Sequence, residues 1–314
     1  MRLTSCTLTH HNTHSFCTLF HKQTLRERER ERRRMNMVMS VLLRFIYPPP
    51  PSLFVTAMSV ISAASLANAG ISEIKGKHLQ YSKFWNNNNN NIGSNNSQKS
   101  SSSSAKRIKL STKTGMLIAY TPALLASVAS FGIFPNEGFR FLLVNSALTI
   151  HFFKRLFEVL FIHKYSSVMY LDVAIPISLS YFISTSTMIY AQHLTLGFPE
   201  PPLDLKDAGI SMFLMGISGN LYHHYLLSKL REQGDKGYKI PKGGLFDRVI
   251  CPHYLFEILG FIGISCISQT LYAFSFTLGT TIYLMGRSYA TRKWYLTKFQ
   301  DFPKNIKALI PFVL

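Results

Sequence analysis

The residues of this 314-residue chain that could do chemistry fall into three short clusters within otherwise apolar sequence. The first is Cys251-Pro252-His253-Tyr254-Leu255-Phe256-Glu257. On a helix, His253 and Glu257 stand at i, i+4 and Tyr254 and Glu257 at i, i+3, so one face groups an imidazole, a phenol and a carboxylate. Such a set can present a proton donor to charge that develops on a substrate. The second cluster, His151-Phe152-Phe153-Lys154-Arg155-Leu156-Phe157-Glu158, puts Lys154 and Glu158 at i, i+4. It reads either as a helix-end ion pair or as a working pair. The third, Gly219-Asn220-Leu221-Tyr222-His223-His224, offers an amide and two imidazoles, for a site or for hydrogen bonds between helices. Ionisable groups inside apolar segments are costly, which marks all three as candidates for function.

Between the third cluster and the first runs a basic loop, from Leu230-Arg231 through Lys236-Gly237-Tyr238-Lys239-Ile240-Pro241-Lys242-Gly243-Gly244-Leu245-Phe246. Cationic side chains around a Gly-Gly turn suit phosphates, and they equally suit lipid headgroups. No GxGxxG follows a strand and no GxxxxGK[ST] occurs, so the soluble nucleotide-binding folds are excluded. No metal is expected. Cys251 and Cys266 are badly spaced for ligation, His223-His224 lacks partner histidines at helical spacing, and the His10, His11, His14 group lies near the N-terminus.

The elements that carry these clusters are apolar and long. Only 16% of the chain is charged and 47% is hydrophobic. About 20 apolar residues cross a bilayer as a helix. Ser52–Ala69, Gly115–Phe134, Phe141–Phe153 with its amphipathic continuation to Ile162, Val168–Ala191 and Ala208–Ser228 each qualify, and Val249–Gly286 is long enough for two helices with a break at Ser268-Gln269-Thr270. The fold class read from this pattern is all-α, a multi-pass membrane protein of about seven helices.

Charge orients them. The chain holds 34 Lys+Arg and 15 Asp+Glu, a net charge of +19. Seven spans put the basic first, third-to-fourth and fifth-to-sixth loops and the C-terminal tail on one side, which the positive-inside rule makes the cytosol. The opposite loops carry Glu137, Glu200, Asp204 and Asp207 against Arg140 and Lys206. The front of the chain differs. Residues 1–38 include the run Arg26-Glu27-Arg28-Glu29-Arg30-Glu31-Arg32-Arg33-Arg34, read as a non-native or disordered leader with Met39 a candidate start. Residues 39–72 hold the first membrane segment, 73–112 a low-complexity loop with six consecutive Asn, and 113–314 the membrane domain proper. No nucleic-acid partner is expected.

Several of these stretches resemble the steroid 5α-reductase family. Lys236 to Phe246 resembles its cytosolic loop, and Cys251-Pro252-His253-Tyr254 with Glu257 its following helix. Gly286-Arg287, Trp294-Tyr295, Lys298-Phe299, Phe302-Pro303 and Ile310-Pro311-Phe312 resemble its C-terminal signature, taken here as about residues 160–314. His151 to Glu158, with Phe161, His163 and Ser166, is more similar to the trans-2-enoyl-CoA reductase branch. The resemblance implies an endoplasmic reticulum membrane reductase with a cytosolic C-terminus. It implies that NADPH reduces a C=C bond conjugated to a carbonyl, in an enoyl-CoA or a 3-oxo-4-ene steroid. By position, it implies that Asn220, Arg231, Tyr238, Lys239, His253, Glu257, Arg287 and Tyr295 line the cofactor site. In the enoyl-CoA branch it implies that Lys154, Glu158 and Tyr254 are catalytic. His253 stands where the family usually has Asn, and His224 and Thr291 replace an Asp and a His of the steroid enzymes. Phe152 replaces the Tyr that donates to the steroid ketone there.

The reaction asks for a donor to the enolate oxygen and a proton at the α carbon, and Tyr254, oriented by a carboxylate and a lysine, meets that need. Two other readings compete. An isoprenylcysteine methyltransferase-like enzyme would want Arg-His-Pro before the Tyr and paired glutamates in the last helix, and neither is present. A non-catalytic membrane scaffold is the third.

Overall fold

The computed structural model describes residues 28–33, 37, 39–50, 52–77, 108–165, 167–230 and 237–311. The chain divides into two units, Met1–Ile46 with Pro201–Leu203, and Tyr47–Glu200 with Asp204–Leu314. In the first, the Leu203 N–H donates to the Arg44 carbonyl at 3.0 Å. Most of the supposed leader, and residues 78–107 of the low-complexity segment, lie outside the described residues.

The second unit is built from seven helices of 17 residues or more among those described: α1 Leu53–Ile74, α2 Thr112–Ile133, α3 Phe139–Phe157, α4 Leu171–His193, α5 Lys206–Lys229, α6 Pro252–Ser268 and α7 Leu271–Lys298. They coincide with the seven apolar stretches. Local chemistry sets their ends. Ser52, Ser111 and Thr270 cap α1, α2 and α7 by accepting from Val55, Thr114 and Ala273 N–H groups. Pro252 opens α6, and Gln269, in the left-handed region at φ 50°, closes it. The expected break at Ser268-Gln269-Thr270 is therefore where α6 turns into α7. Val168 to Tyr170, assigned to the fourth helix from sequence, instead forms a short strand, β2, paired antiparallel with β1 Lys109–Ser111. The pairing draws the starts of α2 and α4 together.

Three helices, α1, α2 and α4, are long and apolar enough to cross a membrane, and α6 is a shorter apolar helix. The other three have a common reason for being less apolar: α3 holds Arg140, Lys154 and Arg155, α5 holds Asn220, His223 and His224, and α7 runs on into Arg287, Arg292 and Lys293. Two of the helices that carry candidate site residues, α3 and α5, thus dilute their own hydropathy, while α6 stays apolar.

Packing is closest where side chains are absent. A Cβ at Gly216 of α5 would fall 2.6 Å from the Gly260 Cα of α6, and one at Gly70 of α1 would fall 2.6 Å from the Ile282 carbonyl oxygen of α7. Pro122 in α2 cannot donate to the carbonyl four residues back, that of Ile118. The Ser178 hydroxyl of α4 donates to that same carbonyl at 2.8 Å, which ties the two helices together. One apolar core centres on Phe141, Leu148, Met188, Phe261 and Tyr272. A second gathers Ile250, Ile258, Trp294, Phe302, Ile306 and Leu309 around the start of α6 and the tail. There the Ile250 and Cys251 N–H groups donate to the Lys307 and Ala308 carbonyls at 2.9 and 3.2 Å, so the tail straps down the residues just before His253 and Tyr254.

Candidate functional site

The last turn of α3 widens into a π-helical segment, Glu158–Ile162, in which the His163 N–H reaches back to the Glu158 carbonyl at 2.7 Å. Glu158 is fully buried there. A carboxylate cannot stay charged in such a place without partners, and it has several. The Lys154 ammonium lies 3.0 Å from Oε1, His224 Nδ1 lies 2.8 Å from the same oxygen, and Arg155 Nη1 is 3.5 Å from Oε2. Lys154 also donates to the Asn220 side-chain oxygen. The Asn220 amide then donates to the His253 carbonyl at 2.7 Å and, more weakly, to Glu257 Oε2 at 3.4 Å. Arg155 closes the set, 3.9 Å from Glu257 and donating to the Tyr120 hydroxyl at 2.8 Å with its guanidinium over that ring. Lys154 and Arg155 against Glu158 and Glu257 make a balanced quartet. The three sequence clusters thus meet at the junction of α3, α5 and α6.

Beside this network lies a cavity of about 610 Å³, a size typical of small-molecule sites. Its polar wall carries Arg155, His163, His224, His253, Tyr254 and Glu257. Tyr238, Lys239, Tyr295 and Lys164 stand toward the loops, and Leu66, Ile177, Phe261, Phe276 and Leu284 supply an apolar wall. The Tyr295 hydroxyl donates to the Lys239 carbonyl at 3.5 Å, and Tyr238 packs edge-on to Trp294. In the loop after the π segment, burial first and then the Arg155 charge push the His163 imidazole down to about 4, so it is neutral at pH 7. Burial likewise holds the nearby Tyr165 phenol above its ordinary value.

Of the residues expected at the site, Tyr238, Lys239, His253, Tyr254, Glu257 and Tyr295 line the cavity. Lys154, Glu158 and Asn220 form the layer behind it. Arg231 lies outside the described residues. Arg287, expected to face the cofactor, is buried and its Nη1 meets Glu73 Oε1 at 2.7 Å, joining α7 to α1; it is not among the cavity-lining residues. Lys154 and Glu158, expected to orient Tyr254, bind Asn220 and His224, and reach α6 through the His253 carbonyl. Sequence reasoning gave no role to Arg155, His163 or Tyr120. It also passed over Glu73, whose signal was its position as the single acid ending a long uncharged run. Glu158, His163 and His224 place one carboxylate and two imidazoles within 4.8 Å, the donor set of many metal centres. Here Lys154 and Arg155 already neutralise the carboxylate, so a divalent ion would add uncompensated positive charge.

A helical bundle with membrane-length helices thus holds a cavity lined both by a buried, charge-balanced polar network and by apolar side chains. Comparison with known proteins makes this specific. Residues 179–314 match the family described as 3-oxo-5-alpha-steroid 4-dehydrogenase. Similar proteins include the steroid 5-alpha-reductase DET2 of Gossypium hirsutum, 46% identical over 107 residues, which are 34% of this chain and 42% of that one. The 3-oxo-5-alpha-steroid 4-dehydrogenase 1 of Homo sapiens is 38% identical over 105 residues, 33% of this chain and 40% of that one. The very-long-chain enoyl-CoA reductase of Dictyostelium discoideum is 29% identical over 203 residues, covering 64% and 67%. The matches to the steroid enzymes thus span about two fifths of those proteins' length, whereas the enoyl-CoA reductase match extends over about two thirds of its own.

Proposed function

We propose that this chain is a seven-span membrane reductase that uses NADPH to saturate a C=C bond conjugated to a carbonyl, with a long-chain trans-2-enoyl thioester as first substrate class and a 3-oxo-4-ene steroid as second. The observation that carries the reading is a cavity lined both by Tyr254 with its charged neighbours and by aliphatic and aromatic side chains. Phe152 supports the order of substrates. It is buried against His151 and Tyr181 and offers no hydroxyl to a ketone. The longer match to an enoyl-CoA reductase points the same way.

The residues present fit a dinucleotide phosphate. Lys239 and Lys164 bring positive charge to the cavity, which Tyr238 and Tyr295 also line. Bound there, NADPH would supply the hydride. The protein's own part is to hold the substrate carbonyl near Tyr254, whose phenol O–H can donate a hydrogen bond to it. Glu257 and the buried layer keep that helix face in place, and the apolar wall excludes water from the acyl chain. An endoplasmic reticulum location with a cytosolic C-terminus goes with the basic character of the loops on that side.

The purified chain, offered a long-chain trans-2-enoyl-CoA and a 3-oxo-4-ene steroid separately, should oxidise NADPH and yield a product two mass units heavier by mass spectrometry. No reduction of either compound would sink the proposal.

A further inference from the structure

Helices α6 and α7 both contribute to the cavity. Along α6 the lining residues run from His253 to Phe261, and along α7 from Tyr295 back to Phe276. Both series stop about two turns short of the Ser268-Gln269-Thr270 break. One turn further on, Ile264, Ser265, Tyr272 and Ala273 are fully buried and line no part of the cavity. The last residue of each series is a phenylalanine, and the two rings meet edge-on with centroids 5.5 Å apart.

Both rings are backed. The His151 imidazole lies 4.9 Å from the Phe261 ring, and the Tyr272 ring is stacked 6.5 Å from Phe276. Just beyond them Ser265 donates to the Ala273 carbonyl at 2.9 Å, and its oxygen lies 2.7 Å from Thr277 Oγ1, which ties the two helices together. Between these helices the cavity therefore ends on a braced aromatic pair. Neither ring donates to the carbonyl or meets the cofactor in the reading above.

We propose that the Phe261–Phe276 pair is a stop that sets the length of acyl chain this protein takes, with a cutoff near twelve carbons. This rests on the enoyl-thioester reading above and narrows it to the short end of the long-chain class. The length follows from helix geometry. Tyr254 and Phe261 stand seven residues apart on one face of α6, about 10 Å at a rise of about 1.5 Å per residue. Leu284 to Phe276 on α7 is eight residues, about 12 Å. A carbonyl held by the Tyr254 hydroxyl sits about 3 Å beyond it, which gives roughly 13–15 Å from carbonyl to stop. An extended chain with C–C bonds of about 1.5 Å advances about 1.3 Å per carbon, so about ten to twelve carbons fill that depth. A longer chain would have to displace rings from a close-packed core, and such overpacking costs about tenfold or more in affinity.

The test reads binding, in the full-length chain in nanodiscs without cofactor. A ten-carbon acyl-CoA with a diazirine on its terminal carbon is photocrosslinked to the protein, and mass spectrometry maps the label. Saturated acyl-CoA esters of increasing length then compete for the same site. In wild type the label should fall on the α6 or α7 peptide that carries Phe261 or Phe276. Competition should be strongest at about ten to twelve carbons and about tenfold weaker at sixteen. Phe276→Ala should move the optimum up by about two to four carbons, because the next ring, Tyr272, stands one turn further on. Thr280→Leu, one turn nearer the donor on the same face, should move it down. Opposite shifts from two positions on one helix do not arise from a general loosening of the fold. Should Phe276→Ala fail to fold, Phe276→Leu takes its place beside Thr280→Leu. Equal competition by all lengths, or a label that lands on α1 or α4 instead, would overturn the stop while leaving the thioester reading standing. No label and no competition at any length would remove the thioester reading and the stop with it.

Discussion

Helix α3 carries a buried cation network at each end, and the two are built on different plans. Near its start, Arg140 Nη1 donates to the Ile267 carbonyl at 2.7 Å and to Gln269 Oε1 at 2.8 Å, while Nη2 meets Asp204 at 2.9 Å and also Glu200. Both of those carboxylates are about half exposed. Near its end, Lys154 and Arg155 face Glu158 and Glu257, and the network lies against the cavity. The Arg140 network terminates on backbone and solvent-wetted acids and fixes the α6–α7 turn. The Lys154–Arg155 network passes its hydrogen bonds onward to side chains that face open space. A polar network that ends on the backbone is a fastener, whereas one that ends on a cavity wall can act on a ligand.

That contrast is open to direct attack. Arg140→Met should cost about 1–3 kcal/mol of stability, the usual result of leaving buried hydrogen-bond acceptors such as the Ile267 carbonyl and Gln269 Oε1 unsatisfied, and should leave turnover per folded molecule unchanged. Thermal unfolding with activity normalised to folded protein checks both halves. Tyr254→Phe should do the reverse. Loss of one oxyanion donor is worth about 10²–10³ in turnover, or roughly 3–4 kcal/mol of barrier, while unfolding temperature and NADPH affinity stay put. A Tyr254→Phe enzyme with near-normal turnover would move the donor elsewhere, with Tyr295 the next candidate. Lys239→Ala should raise the KM for NADPH several-fold and that for NADH less, because Lys239 is proposed to meet the extra phosphate; equal effects on the two cofactors would reassign it.

The smallest effect distinguishes the two ends by pH. Hydrogen bonding from Arg140 holds the Glu200 carboxyl below its usual range. Such a group contributes stability above its unfolded pKa, near 4.3, and loses it as pH falls further. His163 is depressed to about 4 against an ordinary 6.5. The unfolded chain therefore binds more protons between those values, and the stability associated with His163 declines as pH drops from about 6.5 toward 4. Unfolding followed by a probe near the cavity should weaken in the higher window, and one near the α6–α7 turn only in the lower.

The helices were legible because uncharged runs of membrane length leave little choice, and the Ser268-Gln269-Thr270 break was legible because polar residues interrupt such a run. The pair Lys154–Glu158 was legible too, since i, i+4 spacing is a local property. What joins the clusters was not. Glu158 to His224 and Lys154 to Asn220 each span 66 positions, and Glu73 to Arg287 spans 214. Sequence spacing along one helix cannot reveal partners on another. The π segment escaped because no residue type in Glu158–Ile162 marks a widened turn. Arg287 shows the converse case. Its charge and position invited a phosphate role, and its guanidinium meets a single acid on α1, Glu73, that sequence spacing did not reveal.

The strap between Ile250-Cys251 and Lys307-Ala308 also sets an order of events during synthesis. Tyr254 leaves the ribosome well before the segment that pins its helix start. At about 5–20 residues per second, the interval is about 3–10 s. Throughout that time the preceding helices can be in place while the start of α6 lacks its clasp. The cavity wall that carries His253 and Tyr254 is therefore among the last parts of the described chain to be fastened.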